Sequence, residues 1–221
     1  MEFGANPFSE TAFWAMAALD GLILAIAFWH APWQRFIEDR RSNVYFGILV
    51  VLMLLWGMRV EVTNGLQFHL LGVTSLTLMF GWPLGVIGSV LALAGVTLAG
   101  WSEWAGLPFS IVTIGLVPVS LTFIIMLVVR AYLPKHFYIF VFVNAFVTGG
   151  LAGLTCGYLA AGMLALGGVQ SFGHLRETVM PFFPIMFFPE AMFNGWMMTL
   201  MVVFKPDWVY SFSDREYLAG K

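Results

Sequence analysis

Apolar runs long enough to cross a bilayer recur along this chain with only short polar breaks, and that pattern leaves few folds open. A helix needs about 20 apolar residues to span the hydrocarbon core. The chain has 221 residues, 60% of them hydrophobic and 10% charged, with a mean hydropathy of +0.88. A soluble domain of this size leaves too much of its surface exposed to hide that apolar content. Lipid offers no hydrogen-bond partners, so backbone groups must be satisfied within each crossing, which favours helices. The expected fold is an all-α integral membrane protein, a bundle of about seven transmembrane helices near 11–29, 44–62, 66–80, 83–100, 109–132, 137–166 and 180–204. A cytoplasmic tail, 205–221, completes a single transmembrane domain over 1–221.

The start of the chain has Glu2 and Glu10 but no Lys or Arg, unlike a positively charged signal peptide, and the first run contains Asp20. It is expected to remain as a helix. A net charge of −2 and a pI near 6.0 give no case for nucleic acid as a partner. The lone Cys156 excludes an intrachain disulfide framework.

Proline and glycine punctuate the runs. Ala31-Pro32 stops the first helix, and Gly81-Trp82-Pro83 reads as a tight hairpin, since proline costs little at a first helical position. Its arms are short for a span, so a re-entrant pair is the alternative. Pro118 is tolerable inside a membrane helix. Pro181, Pro184 and Pro189 imply a kinked or broken first half for the last helix. Ala145, Gly149, Gly153, Gly157, Ala161 and Ala165 repeat every four residues, a spacing that lets helix backbones approach closely. With seven crossings and the N-terminus outside, eight of the 10 Lys and Arg residues fall on the cytoplasmic side, leaving Arg59 and Arg176 outside. That bias obeys the positive-inside rule.

Arg59, Glu61, Asn64, Gln67 and His69 interrupt this apolar background within a single short stretch. Ionisable groups in a membrane are costly and mark function by default. His69, about one turn inside helix 3, would share a face with Gly72, Val73 and Leu76. Imidazole is the commonest metal ligand, although a histidine hydrogen-bonded between helices also fits. On a helix Arg59 and Glu61 point to nearly opposite faces, so each needs another partner, such as the outer loop of His174, Arg176 and Glu177. Glu61 and His174 are secondary candidates for metal ligation. Glu190 and Asn194 stack four apart on the last helix. A lone carboxylate at mid-membrane is expected to be protonated or paired, which makes Glu190 a proton carrier, a polar clamp or an interhelical hydrogen bond. Asp20 and Asn144 invite the same readings.

No Walker A, CxxC, HExxH or GxSxG sequence occurs, so no recognised ATPase, redox, protease or hydrolase site is present and no enzyme is indicated. The segments FHLLGVTSLTLMFGWPLG, VFVNAF and FPEAMFNGWMMTLMVVFKPDWV carry a His-Leu-x-Gly element and a Pro-Glu-Ala-x-x-Asn-Gly element. From about Gly57 to Leu218 the chain resembles the CbiM/NikM family, most closely a short proteobacterial branch of energy-coupling factor permeases. The resemblance implies the substrate-binding membrane component of a cobalt or nickel uptake transporter in the inner (cytoplasmic) membrane. Other membrane subunits and a cytoplasmic ATPase would be its partners, with the transition metal as substrate and no other cofactor. In that family the metal is held by nitrogens of an N-terminal Met-His pair and by the histidine of His-Leu-x-Gly, which is His69 here. This chain begins Met1-Glu2-Phe3, without the histidine. That departure supports an alternative: a non-catalytic accessory subunit of a larger membrane complex that keeps the transporter fold and has lost the metal site. A third reading is an ion-coupled carrier working through Glu190.

Overall fold

The computed structural model describes residues 2–3, 8–38, 41–63 and 66–217. Long helices dominate. They are α1 (Glu10–His30), the short α2 (Trp33–Glu38), α3 (Arg41–Gly57), α4 (Val73–Leu98), α5 (Trp104–Tyr132), α6 (Phe137–Leu166), the short α7 (Phe172–Thr178), α8 (Phe183–Phe204) and a final turn, α9 (Asp214–Tyr217). Among the described residues five helical stretches are long and apolar enough to cross a membrane, and α3 is a shorter apolar helix.

The all-α expectation is corrected by a small sheet. β1 (Glu2–Phe3), β2 (Val60–Thr63) and β3 (Leu66–Phe68) form an antiparallel sheet in the order β1-β3-β2. The hydropathy pattern carries helix 2 to 62 and starts helix 3 at 66; instead α3 ends at Gly57 and, among the described residues, no helix resumes before Val73. The reason lies in VEVTNGLQF, where apolar and polar residues alternate with a period of two around an Asn-Gly dipeptide, the pattern of a hairpin. Asn64 itself lies outside the described residues.

α4 doubles back on itself. Gly81 adopts φ 82° and ψ 174°, a backbone region open essentially to glycine alone. A Cβ on Gly85 would lie 3.1 Å from Thr77 Oγ1, and one on Gly88 would lie 3.0 Å from Leu76 Cδ2. Along a straight helix the first pair would be about 12 Å apart. Residues 73–80 therefore form a half-length helix packed antiparallel against 82–98, which is the expected hairpin. The first arm is short, and the non-helical segment 66–72 precedes it.

Other departures have local causes. A wide π turn, Ile111–Leu116, precedes Pro118 in α5. It contains Ile114, whose carbonyl the proline can neither bond nor avoid in a regular helix. The last helix, expected from 180 with a kinked or broken first half, becomes regular α-helix only at Phe183 and is continuous from there to Phe204. Pro181 falls in a 3₁₀ turn, Met180–Phe182, and Pro184 in the first turn of α8, leaving only Pro189 in its interior. The tail folds back rather than hanging free, burying Val209, Phe212 and Tyr217.

Connections sort to two ends. The hairpin end gathers β1, β2, β3 and α7 over a cluster that includes Phe3, Leu66, Phe109, Leu175 and Phe183. The tail end gathers Pro32, Phe36, Arg41, the Gly81 turn and residues 206–215 around a cavity of about 610 Å³. There Glu216 bridges Arg130 at 3.0 Å and Lys135 at 3.3 Å. Between the ends, the small-residue face of α6 packs on α8: Gly149 meets Asn194, and Gly153 and Gly157 meet Phe187.

Candidate functional site

The segment joining the sheet to the half-helix, residues 69–72, is neither helix nor strand, so its backbone groups need partners from elsewhere. Side chains of three residues supply them. Glu190 of α8 accepts from Leu71 N through Oε2 at 2.6 Å and from Gly72 N through Oε1 at 2.8 Å. Asn194, one turn on, donates from Nδ2 to Glu190 Oε1 at 2.6 Å. Its Oδ1 accepts from Ser75 N at 2.9 Å and from Ser75 Oγ at 2.7 Å. Trp56, at the end of α3, donates from Nε1 to the Leu71 carbonyl at 2.9 Å. Glu190 and Asn194 thus do for the half-helix what a capping box does for an ordinary one, but from another helix. Three N–H donors converge on the Glu190 carboxyl oxygens at the N-terminus of the half-helix. Of the readings open from sequence, the geometry is that of the polar clamp.

His69 stands at the head of this segment, 2% exposed. It does not sit on a helix, so the expected shared face with Gly72, Val73 and Leu76 is not formed. The unwound path instead turns its ring onto Trp56, with centroids 5.6 Å apart. Nδ1 lies 3.1 Å from the Leu70 carbonyl. A carbonyl can only accept, so Nδ1 carries the proton and Nε2 the lone pair, the tautomer of a ligating imidazole.

Two strands converge beside His69. Across the hairpin, Glu61 opposes Gln67 and Val60 opposes Phe68. Arg59 and Glu61 lie on strand-like backbone rather than on a helix, and Arg59 Nη1 donates to Gln67 Oε1 at 2.7 Å. On the other edge Glu2 opposes Gln67 and Phe3 opposes Leu66. β1 is held there by the Phe3 side chain, 1% exposed against Phe109, and by a bond from Phe3 N to Ser110 Oγ at 3.1 Å. Gly106 lets it approach, because a Cβ at 106 would fall on the Phe3 carbonyl. The polar side of the sheet opens into a cavity of about 240 Å³ lined by Gln67, Trp101, Ser102 and Glu103.

Sequence reasoning chose His69, Glu190 and Asn194, which the structure brings together along 69–75, and Arg59 and Glu61, which it places on the adjoining hairpin. It does not bring in the others. His174 is exposed on α7, whose inward residue is Leu175. Asp20 is buried on α1, and Asn144 is buried in the π turn Phe140–Val147 of α6. Neither side chain has a hydrogen-bond partner among the described residues. Trp56, Ser75 and β1 were missed as parts of the site. Among the described residues no three His, Cys, Asp or Glu side chains converge as a metal cage.

Comparison with known proteins places these features. Two crystal structures share the fold, one described as a truncated transition metal transporter and the other as a transition metal transporter. The first superposes with a TM-score of 0.78 at 15% identity, covering 92% of this chain and 99% of that one. The second gives 0.77 at 15% identity, covering 91% and 92%. No curated protein sequence matches. The profile of the CbiM family, described as the cobalt uptake substrate-specific transmembrane region, matches residues 5–208. The chain therefore belongs to the CbiM family, a family of membrane components of metal uptake.

Proposed function

We propose that this chain is the substrate-binding component of a transition-metal uptake transporter of the inner membrane, taking cobalt or nickel and energised by partner ATPase subunits. The observation that carries the reading is the docking of β1 beside the segment that presents His69. Strand pairing holds Glu2 and Phe3 against β3, which leads directly into a buried imidazole set in the tautomer of a metal ligand. Membership of the family supports the substrate class. Seven crossings, made by α1, α3, 66–80, 82–98, α5, α6 and α8, put the hairpin end outside and the tail inside, in accord with the charge bias. Glu2 stands where the family has histidine, which moves the ligand set away from the nitrogen-rich square plane that Ni(II) prefers. Glu61 is a secondary contributor at the mouth.

A second reading, an accessory subunit with a lost metal site, is favoured by one observation: no three metal-binding side chains converge among the described residues. One preparation separates the two. The chain is purified from its host in mild detergent, and bound metals and co-purifying subunits are both measured. Stoichiometric Co or Ni that disappears in His69→Ala, together with an ATPase subunit, supports the transporter. A metal-free chain carried by non-transport subunits supports the accessory role and sinks the first reading.

A further inference from the structure

The half-helix 73–80 is held at its far end as firmly as at its near one. Its C-terminal carbonyls have no successors in the helix, because the chain reverses at Gly81. The tail supplies the missing donors. Tyr210 N donates to Met79 O at 3.0 Å, and Ser211 donates to Leu78 O from both N, at 3.1 Å, and Oγ, at 2.8 Å. The Tyr210 ring covers the turn, 3.4 Å from where a Gly81 Cβ would stand. The N-terminal end is clamped by Glu190 and Asn194. One continuous stretch, 190–211, thus closes both ends of the half-helix.

We propose that Tyr210 and Ser211 are positioning residues for His69, acting through the half-helix from the opposite end of the bundle. The half-helix is only about 12 Å long and its core-facing residues are fully packed, so displacement of one end is passed to the other rather than absorbed. At its head, Leu71 and Gly72 connect directly to Leu70, whose carbonyl fixes the tautomer of His69. The tail contact also borders the 610 Å³ cavity, lined on one side by Phe80 and Leu84 and on the other by Tyr210 and Phe212. Loss of the C-terminal bonds would therefore loosen residues 69–72, and through them the imidazole. As a statement about metal affinity this rests on the transporter reading above; as a statement about mechanical coupling it does not.

The test uses the full chain in lipid nanodiscs, comparing the unaltered protein with Ser211→Ala, Ser211→Pro and the control Glu216→Gln. Hydrogen exchange is followed without metal, and Co²⁺ and Ni²⁺ binding by calorimetry. Ser211→Ala removes only the Oγ bond and is expected to fold; it should speed exchange at Leu70–Gly72 and weaken metal binding about three- to tenfold. Ser211→Pro also removes the N–H and should do more, while Glu216→Gln leaves both readouts unchanged. Faster exchange confined to 78–80, with 70–72 unaltered in Ser211→Ala, overturns the coupling. If the unaltered protein binds neither metal, the transporter reading fails and the exchange pattern alone decides the coupling.

Discussion

Glu190 answers with geometry a question that its residue type left open. Its two oxygens receive three N–H groups, from Leu71, Gly72 and Asn194, in a site 1% exposed. A glutamine in its place has one oxygen and one donor NH₂, so at least one of those N–H groups would face another donor. An unmade buried bond of this kind costs about 1–3 kcal/mol. Glu190→Gln should therefore lower the thermal unfolding temperature in detergent, and Glu190→Ala should lower it further. If Glu190→Gln were as stable as the parent, the clamp would not be what the carboxylate is for. The i, i+4 spacing of Glu190 and Asn194 was legible in the sequence as a shared helical face. Their partners were not, because backbone donors freed by unwinding at 69–72 have no side-chain signature.

At the scale of elements, the long helices were legible because lipid demands long apolar runs. α6 spans 137–166 as expected, and the Gly81 hairpin forms. The element that organises the site was hidden for the same reason. Val60, Val62, Leu66 and Phe68 extend the apolar runs on either side, so their period-two alternation read as more helix. β1 was hidden too, since two residues of strand carry no pattern of their own; its existence depends on Gly106. A methyl at 106 would collide with the Phe3 carbonyl, and the strand cannot shift without withdrawing Phe3 from its pocket against Phe109. Gly106→Ala should release β1. The expected result is faster hydrogen exchange at Leu66–Phe68, which lose their outer strand, and metal binding weakened by at least about tenfold, a loss of about 1.4 kcal/mol. Undisturbed exchange at 66–68 would show that β1 does not depend on this close approach.

Over the whole molecule, the two ends differ in charge as well as in shape. Arg41, Arg130, Lys135, Lys205 and Arg215 lie at the tail end, while Arg59 and Arg176 lie at the hairpin end. Topology in membranes follows such a bias, with the richer side retained in the cytoplasm. A half-helix preceded by an unwound segment is tolerated at membrane depth only where protein encloses it, and here Trp56, Glu190 and Asn194 do so. The cavity lined by Gln67 and Glu103 lies at the hairpin end, the side that the charge bias assigns to the outer face. This orientation can be read directly, because Cys156 is buried and is the lone cysteine. Single variants Glu103→Cys and Asp207→Cys place new thiols at exposed positions at the two ends. In intact spheroplasts a membrane-impermeant maleimide should label Glu103→Cys at once and Asp207→Cys only after permeabilisation. The reverse order would turn the His69 site toward the cytoplasm and remove the route by which this chain could receive a metal for uptake.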